Sequence, residues 1–259
     1  MTDEAGVSDN WYAGALAEIH DSDYTFLARA AAQTAMALLP PPAESGIVVD
    51  LGCGSGVTAE ILDEAGYSVV GIDASPDMIS IARRRVPTGD FVTGSIYGAE
   101  IPDCQAVLAI GEVFNYVSDD RTHESLQALL RRIAASLRLD GFLLCDIAGP
   151  GRATAQNAAQ VAAGDGWTMK FTATEDSASQ LLTRDIRIEL TDGPKSRVAS
   201  HTSPQRPVQL HETHLLELMT PAECESILEA SGLRTQQLPG YIGFDFPPGW
   251  TGWRGQPVG

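Results

Sequence analysis

Apolar positions between residues 24 and 147 follow two alternating rhythms. Short apolar runs at 47–51, 68–72, 90–93, 106–110 and 142–147 read as strands, the run at 90–93 being the weakest. Between them, apolar residues three and four apart read as helices. The segment 24–39 is the first, with Asp23 a plausible N-cap, and "LPPPAESG" ends it because proline cannot continue a helix. A second helix, 57–65, stops at Gly66. Ser75-Pro76-Asp77 opens a third with a capping serine, a proline at the first helical position and an acid in the first turn. Met78, Ile79, Ala82 and Val86 give that helix its apolar face, as Leu126, Leu129, Leu130, Ile133 and Leu137 do for 122–137. Asp140-Gly141 then reads as a turn into the strand 142–147. This alternation predicts an α/β fold of βαβ units, a parallel sheet with helices on both faces.

The rhythm changes after "AGPGRA". Segments 167–174, 181–190 and 210–218 read as longer strands joined by polar turns such as "TDGPKS", with no helix between them. That pattern predicts an antiparallel β insertion. A helix at 221–230 and edge strands at 234–238 and 251–254 return the chain to the first sheet. No internal repeat is visible. The expected organisation is an N-terminal segment 1–23, a core 24–150, an insertion 151–218 and a return 219–259, with "SRVASHTSPQRPVQ" the most linker-like stretch.

Composition narrows the class. A chain of 259 residues, 44% of them hydrophobic, suits one large α/β domain or a domain with a sizeable insertion. No apolar run approaches the roughly 20 residues of a membrane helix. The N-terminus "MTDEAGVSDNWYAG" lacks the basic and apolar regions of a signal peptide, so a cytoplasmic protein is expected, with no membrane partner. The four cysteines show no C-x-x-C spacing, which argues for free thiols and against a metal site. A net charge of -17 repels phosphate backbones, so nucleic acid is not expected as a partner, while small neutral or cationic substrates remain compatible.

The candidate chemistry lies in "VVDLGCGSGVTAEIL", residues 48–62. Gly52, Gly54 and Gly56 let the backbone turn sharply and approach a ligand at the carboxyl end of a strand. The helix that follows points its N-terminus at the same place. Dinucleotides and S-adenosylmethionine both fit such a loop. The dinucleotide fingerprint is G-x-G-x-x-G, whereas here G-x-G-x-G is followed by Val57. Asp50, just before the loop, would repel a pyrophosphate but could accept a hydrogen bond from the ammonium of a methionine moiety. Asp73 ends the next strand, in "VVGIDASPDM", where a carboxylate can accept both hydroxyls of a ribose. Capping the following helix is the other role open to Asp73, but Ser75 already suits it.

"VVDLGCGSG", "VVGIDASPDMISIARRR" and "AVLAIGEVFNYV" together resemble successive motifs of the class I S-adenosylmethionine-dependent methyltransferases, small-molecule type, over roughly residues 24–147. The resemblance implies a Rossmann-like, seven-stranded, mostly parallel sheet with an antiparallel last strand. It implies S-adenosyl-L-methionine as methyl donor and S-adenosyl-L-homocysteine as product. It sets Asp50, Gly52, Cys53 and Gly54 near the methionine and ribose, Asp73 on the ribose, and Ala74 and Met78 beside the adenine. Gly111 and Glu112 would lie beside the methionine. Two positions depart from the family pattern: Ser95, next to Ile96 at the adenine, and Gln105 at the start of the fourth strand stand where an aspartate is common.

Methyl transfer is an in-line displacement at a sulfonium, so alignment and water exclusion matter more than a dedicated base. Segments preceding the first strand often form a lid in this superfamily, which brings Tyr12, Tyr24 and His20 towards a methyl acceptor. Asn115 and Tyr116 at the fourth strand's exit are further acceptor contacts. His20, Tyr116 and His214 are weak catalytic candidates. His211 and His214 point to opposite faces if 210–218 is a strand, while His123 and His201 have no distinguishing context. The expected activity is methyl transfer to a small-molecule acceptor. A non-catalytic cofactor-binding protein of the same fold and an NAD(P)-dependent oxidoreductase are the alternatives. The insertion would be a substrate cap or the contact of a homodimer.

Overall fold

A computed structural model describes residues 11–118, 122–155, 159–190 and 208–259. The start of the N-terminal segment, the turn "TDGPKS", most of the linker-like stretch and His201 lie outside the described residues. The elements are α1 (Ala15–Asp23), α2 (Phe26–Leu38), β1 (Ile47–Leu51), α3 (Val57–Glu64), β2 (Val69–Asp73), α4 (Pro76–Arg85), β3 (Asp90–Thr93), β4 (Cys104–Ala109), α5 (His123–Ser136) and β5 (Leu137–Ala148). There follow α6 (Arg152–Ala155), β6 (Ala159–Gly164), β7 (Trp167–Asp176), β8 (Leu181–Leu190), β9 (Val208–Glu217), α7 (Pro221–Ala230), β10 (Leu233–Leu238), β11 (Gly240–Tyr241), β12 (Phe244–Asp245) and β13 (Trp250–Pro257).

Seven strands form one sheet in the order β10-β13-β5-β4-β1-β2-β3. All neighbours are parallel except β13, which runs antiparallel between β5 and β10. The chain therefore places its last strand inside the sheet, not at an edge as its position in the sequence suggested. Strand order reverses between β1 and β4, which opens a crevice beyond their carboxyl ends. Alternation along each strand feeds two cores. Val48, Ala106, Leu108, Phe142 and Leu144 face Ala31, Leu62, Ile79 and Ala82 of α2–α4. Val49, Val107, Leu143 and Cys145 face Leu129, Ile133 and Leu228 of α5 and α7. Both faces being covered explains the nearly unbroken apolar runs.

The second sheet, β6-β7-β8-β9, is antiparallel throughout. Met169, Ile186 and Ile188 pack on Leu16 and Ile19 of α1, so the insertion covers the N-terminal helix. Three elements differ from the sequence pattern. Asp23 is the last residue of α1, and the N-cap of α2 is Thr25. The strand β6, "AQVAAG", is almost wholly exposed and forms by main-chain pairing with β7, so it carries no apolar alternation. Asp140-Gly141 is not a free turn. Cys104 pairs with Leu137 and Ala106 with Phe142, so residues 138–141 bulge within β5.

Gly71 in β2 is a packing glycine. A Cβ there would lie 2.6 Å from the Phe91 ring and 2.9 Å from Cys53 Sγ. Gly71→Ala is expected to lower stability by about 1–3 kcal/mol, the usual cost of overpacking. Urea unfolding checks this, and an unchanged midpoint would show that Phe91 yields freely.

Candidate functional site

The crevice at the β1/β4 reversal opens into a cavity of about 410 Å³. Its floor is the loop after β1. The Gly52 and Cys53 amides donate to the Ile72 carbonyl at 2.7 and 3.1 Å, which pins the loop to the end of β2. Gly52 has φ 70°, and a Cβ would stand 2.5 Å from the Val113 side chain, so no other residue fits without moving the β4 exit. Gly54 donates to Asp73 Oδ2 and Ser75 to Asp73 Oδ1, both at 2.8 Å. Ser75 itself caps α4 by accepting from the Met78 amide at 3.2 Å. Asp73 thus organises two amides on the cavity wall while Ser75 holds the helix.

Asp50 and Asp73 both line this end. Asp50 is only 2% exposed, and among the described residues its Oδ2 has no hydrogen-bond partner. Burial, and then the Asp73 charge, push its pKa up to about 8. Burial also raises Asp73, against the two amides that lower it. A buried carboxylate that lines a cavity and has an oxygen without a partner suits a cationic ligand group. Cys53, Gly54, Ala74, Met78, Ser95, Ile96 and Gly111 line the same cavity.

The same cavity has an aromatic wall, made by Trp11, Tyr12, His20, Tyr24 and Tyr116. The Tyr12 and Tyr116 hydroxyls are hydrogen-bonded to each other at 2.9 Å. His20 lies edge-on to Tyr12 at 4.8 Å and stacks with Tyr24 at 5.9 Å. Burial lowers the His20 pKa to about 4, so its imidazole is neutral and weakly basic near neutral pH. Burial raises both Tyr12 and Tyr116, which stay phenols. None of the described residues lining the cavity is a lysine or arginine.

Three residues expected at the site are placed elsewhere. Glu112 lies outside the cavity lining, with its carboxylate between Arg152 and Arg184. Burial would raise its pKa, but the two guanidiniums outweigh that and hold it below the usual carboxylate range. Asn115 is fully buried. Its amide nitrogen donates to the Ala148 and Glu217 carbonyls at 2.9 and 2.6 Å, and its oxygen accepts from the Ala148 amide at 2.9 Å. It is a structural clasp, not an acceptor contact. His214 packs behind Tyr12 and Tyr116, outside the cavity lining, with Nε2 2.9 Å from Glu212 Oε2.

Trp11, from the same N-terminal stretch as Tyr12, lines the cavity too. Two others escaped the sequence reading. Glu212 anchors the segment that carries Tyr12, and no sequence signal marks it. Asp146 did leave a signal, a lone carboxylate in the apolar strand "LLCDIA". It accepts from the Gly111 and Glu112 amides, the Tyr241 hydroxyl and the Trp250 indole at 2.8–3.1 Å. Burial pushes it up to about 6.

A seven-stranded sheet with an antiparallel penultimate strand, and a cavity built on a glycine loop and two strand-end carboxylates, define a Rossmann-like methyltransferase fold. Residues 48–141 match the family described as Methyltransferase domain. That match makes this stretch of the chain similar to a methyltransferase domain. The chain is 35% identical over 105 residues to a trans-aconitate 2-methyltransferase of Rhodopseudomonas palustris (strain HaA2), a match covering 40% of this chain and 39% of that protein. It thus spans about two fifths of that relative's length. It is 26% identical over 246 residues to the dTDP-3-amino-3,6-dideoxy-alpha-D-glucopyranose N,N-dimethyltransferase of Streptomyces fradiae, covering 88% of each chain. In structure it resembles Streptomyces venezuelae DesVI, with a TM-score of 0.71, 21% identity, and 93% and 98% of the two chains covered. At that identity the likeness speaks for the fold alone.

A pH prediction follows from Asp50. Its pKa is raised on folding, so its contribution to stability is complete below about pH 4 and is lost as pH rises towards 8. His20, lowered to about 4, acts in the opposite sense only up to about pH 6.5, and Asp146 has finished by then. Ligand-free protein should therefore lose thermal stability between about pH 6.5 and 8, and Asp50→Asn should flatten that fall. Parallel melts of both proteins across this window make the test, and equal slopes would remove Asp50 as the cause.

Proposed function

We propose that this chain transfers a methyl group from S-adenosylmethionine to an amino group of a small molecule. The observation that carries the reading is one cavity lined both by Asp50, whose Oδ2 has no described partner, and by an aromatic wall of Trp11, Tyr12, Tyr24 and Tyr116. S-adenosylmethionine supplies a methyl group on a sulfonium. Asp50 accepts the ammonium of its methionine moiety, and Asp73 accepts the ribose hydroxyls beyond the Gly52–Gly54 turn. Cys53 and Gly111 border the methionine and ribose. Ala74, Met78, Ser95 and Ile96 enclose the adenine.

At the acceptor end, Tyr12, Tyr24 and Tyr116 surround the amine, with His20 beside them. Phenol oxygens accept from the amine N–H and direct its lone pair at the methyl group. Burial in this wall favours the neutral, nucleophilic amine over ammonium. A methylated, cationic product then meets aromatic faces, which attract alkylammonium groups. His20 and the phenols are weak bases here, so alignment and water exclusion are the chain's contribution. An oxygen acceptor that enters as a carboxylate would need a counter-charge, and among the described residues no lysine or arginine lines the cavity to offer one.

The sugar-nucleotide dimethyltransferase of Streptomyces fradiae, alike over nearly the whole chain, supports an amino-sugar acceptor. The segment 1–23 serves as a cover, 24–150 as the cofactor core, 151–218 as the cap over the acceptor end and 219–259 as the return to the main sheet. Among the described residues no helix is long and apolar enough to cross a membrane. The described cysteines are buried free thiols, which suits the cytoplasm. The net charge of -17 disfavours nucleic-acid acceptors.

Calorimetry should show binding of S-adenosylmethionine and none of NAD(P). Binding near neutral pH should release a proton as Asp50 ionises against the ammonium, seen as a heat that depends on the buffer's ionisation enthalpy. Asp73→Ala should weaken cofactor binding about 10- to 100-fold, since a hydrogen bond to a charged group contributes about 1.5–3 kcal/mol. Asp73→Asn should do nearly as much, because its amide offers one acceptor where two are needed. Mass spectrometry of a panel of dTDP-amino sugars, with trans-aconitate as comparison, reports the acceptor. Methylation of trans-aconitate alone would overturn the amine reading.

A further inference from the structure

Tyr12 reaches the cavity from an unusual backbone. Its φ is 53° and that of Gly14 is 52°, both in the left-handed region. A non-glycine residue holds such a conformation only where its surroundings enforce it. Two carboxylates from different elements do so. Glu212, on β9 of the antiparallel sheet, accepts the Tyr12 amide on Oε2 and the Ala13 amide on Oε1, each at 2.8 Å. On the other side Asp77 of α4 accepts the Gly14 amide at 2.7 Å, and Ser75 donates to the Tyr12 carbonyl at 3.0 Å. His214 donates or accepts at Glu212 Oε2 and lies against the Tyr12 ring at 5.0 Å, which fixes the carboxylate from behind. The result is one aromatic geometry, in which the Tyr12 hydroxyl meets that of Tyr116 and the Tyr116 ring meets Trp11 edge-on at 5.3 Å.

Glu212 is distant from the glycine loop in sequence and does not line the cavity. Its carboxylate is spent on main-chain amides of the covering segment. We propose that Glu212 is a positioning residue for the acceptor end: from the antiparallel sheet it sets the Tyr12 phenol against Tyr116 and keeps residues 11–24 closed over the cavity. The role of that end as the acceptor pocket rests on the amine reading above. The latch itself does not. The antiparallel insertion thereby acts on the site through backbone placement of one tyrosine, with none of its described side chains in the cavity wall.

The test uses the full chain with Glu212→Ala, Glu212→Gln and Tyr12→Phe variants and S-adenosylhomocysteine as the cavity probe. Amide hydrogen exchange at Tyr12 and Ala13 should accelerate at least tenfold in Glu212→Ala, while exchange in β7 and β8 stays unchanged. Glu212→Gln keeps one carbonyl acceptor and should restore part of the protection. With carbon-13-labelled tyrosine, the Tyr116 ring signals should move in Glu212→Ala in the direction they move in Tyr12→Phe, a signature that general loosening of the sheet does not produce. S-adenosylhomocysteine should also leave Glu212→Ala faster than the wild type. Unchanged exchange at residues 12 and 13 in a variant with wild-type sheet protection would overturn the proposal, as would Tyr116 signals that do not move. Failure of the wild type to bind S-adenosylhomocysteine would instead count against the cofactor reading and leave the exchange result standing.

Discussion

The carboxylate of Asp146 is the constraint on which the site's geometry hangs. It sits fully buried near the carboxyl end of β5 and gathers donors from three other parts of the chain: the β4 exit, β11 and β13. Each donor would be costly to bury alone, and so would the carboxylate. Together they hold the Gly111–Glu112 turn in a left-handed conformation, φ 92° and 63°. That turn delivers Val113 against Gly52, so the glycine loop is confined from above by Asp146 at one remove. A lone carboxylate in an apolar strand thereby sets how closely the cavity's two walls approach.

Glu112 extends the same logic to the second sheet. Its carboxylate is shared by Arg152, from the connection after β5, and Arg184, from β8. Arg152 also lies 4.0 Å over the Trp250 ring, whose indole donates to Asp146. A buried ion pair contributes little net stability against a well-packed apolar alternative, yet breaking it by removing one partner costs about 3–5 kcal/mol. Such a group specifies placement more than it stabilises. Asn115 adds a second tie between the sheets by bonding Ala148 and Glu217, and Val117 donates to the Leu215 carbonyl at 2.9 Å. The aromatic end of the cavity is therefore built where the two sheets are fastened.

The two ends of the cavity differ in how they satisfy polar groups. At the glycine loop Asp50 is buried with one oxygen left over, which disfavours its charge. At the aromatic wall the Tyr12 and Tyr116 hydroxyls bond each other, Arg184 also bonds Tyr116, and the imidazole is neutral. The net charge of -17 draws cations towards the chain over long range.

Local pattern determined most of the first sheet. The apolar runs at β1, β2 and β4, the Ser75 cap and the amphipathic α5 are all properties of neighbours in the sequence, and a glycine loop at a strand end is a local steric statement. So is Asp73, because a strand places its terminal side chain without outside help. The exposed β6 was not legible, since main-chain pairing leaves no apolar alternation. Nor was β13's place inside the sheet, because strand order is decided by which neighbours bury the most surface. The roles of Glu112, Asn115 and Glu212 were hidden for one reason: each acts on partners between 33 and 200 positions away. Charge, hydrogen-bonding capacity and strand phase are written in the residue itself. Which buried group it must satisfy is settled only when the antiparallel sheet closes on the N-terminal segment, because the cost of an unmet buried polar group arises from the assembled fold.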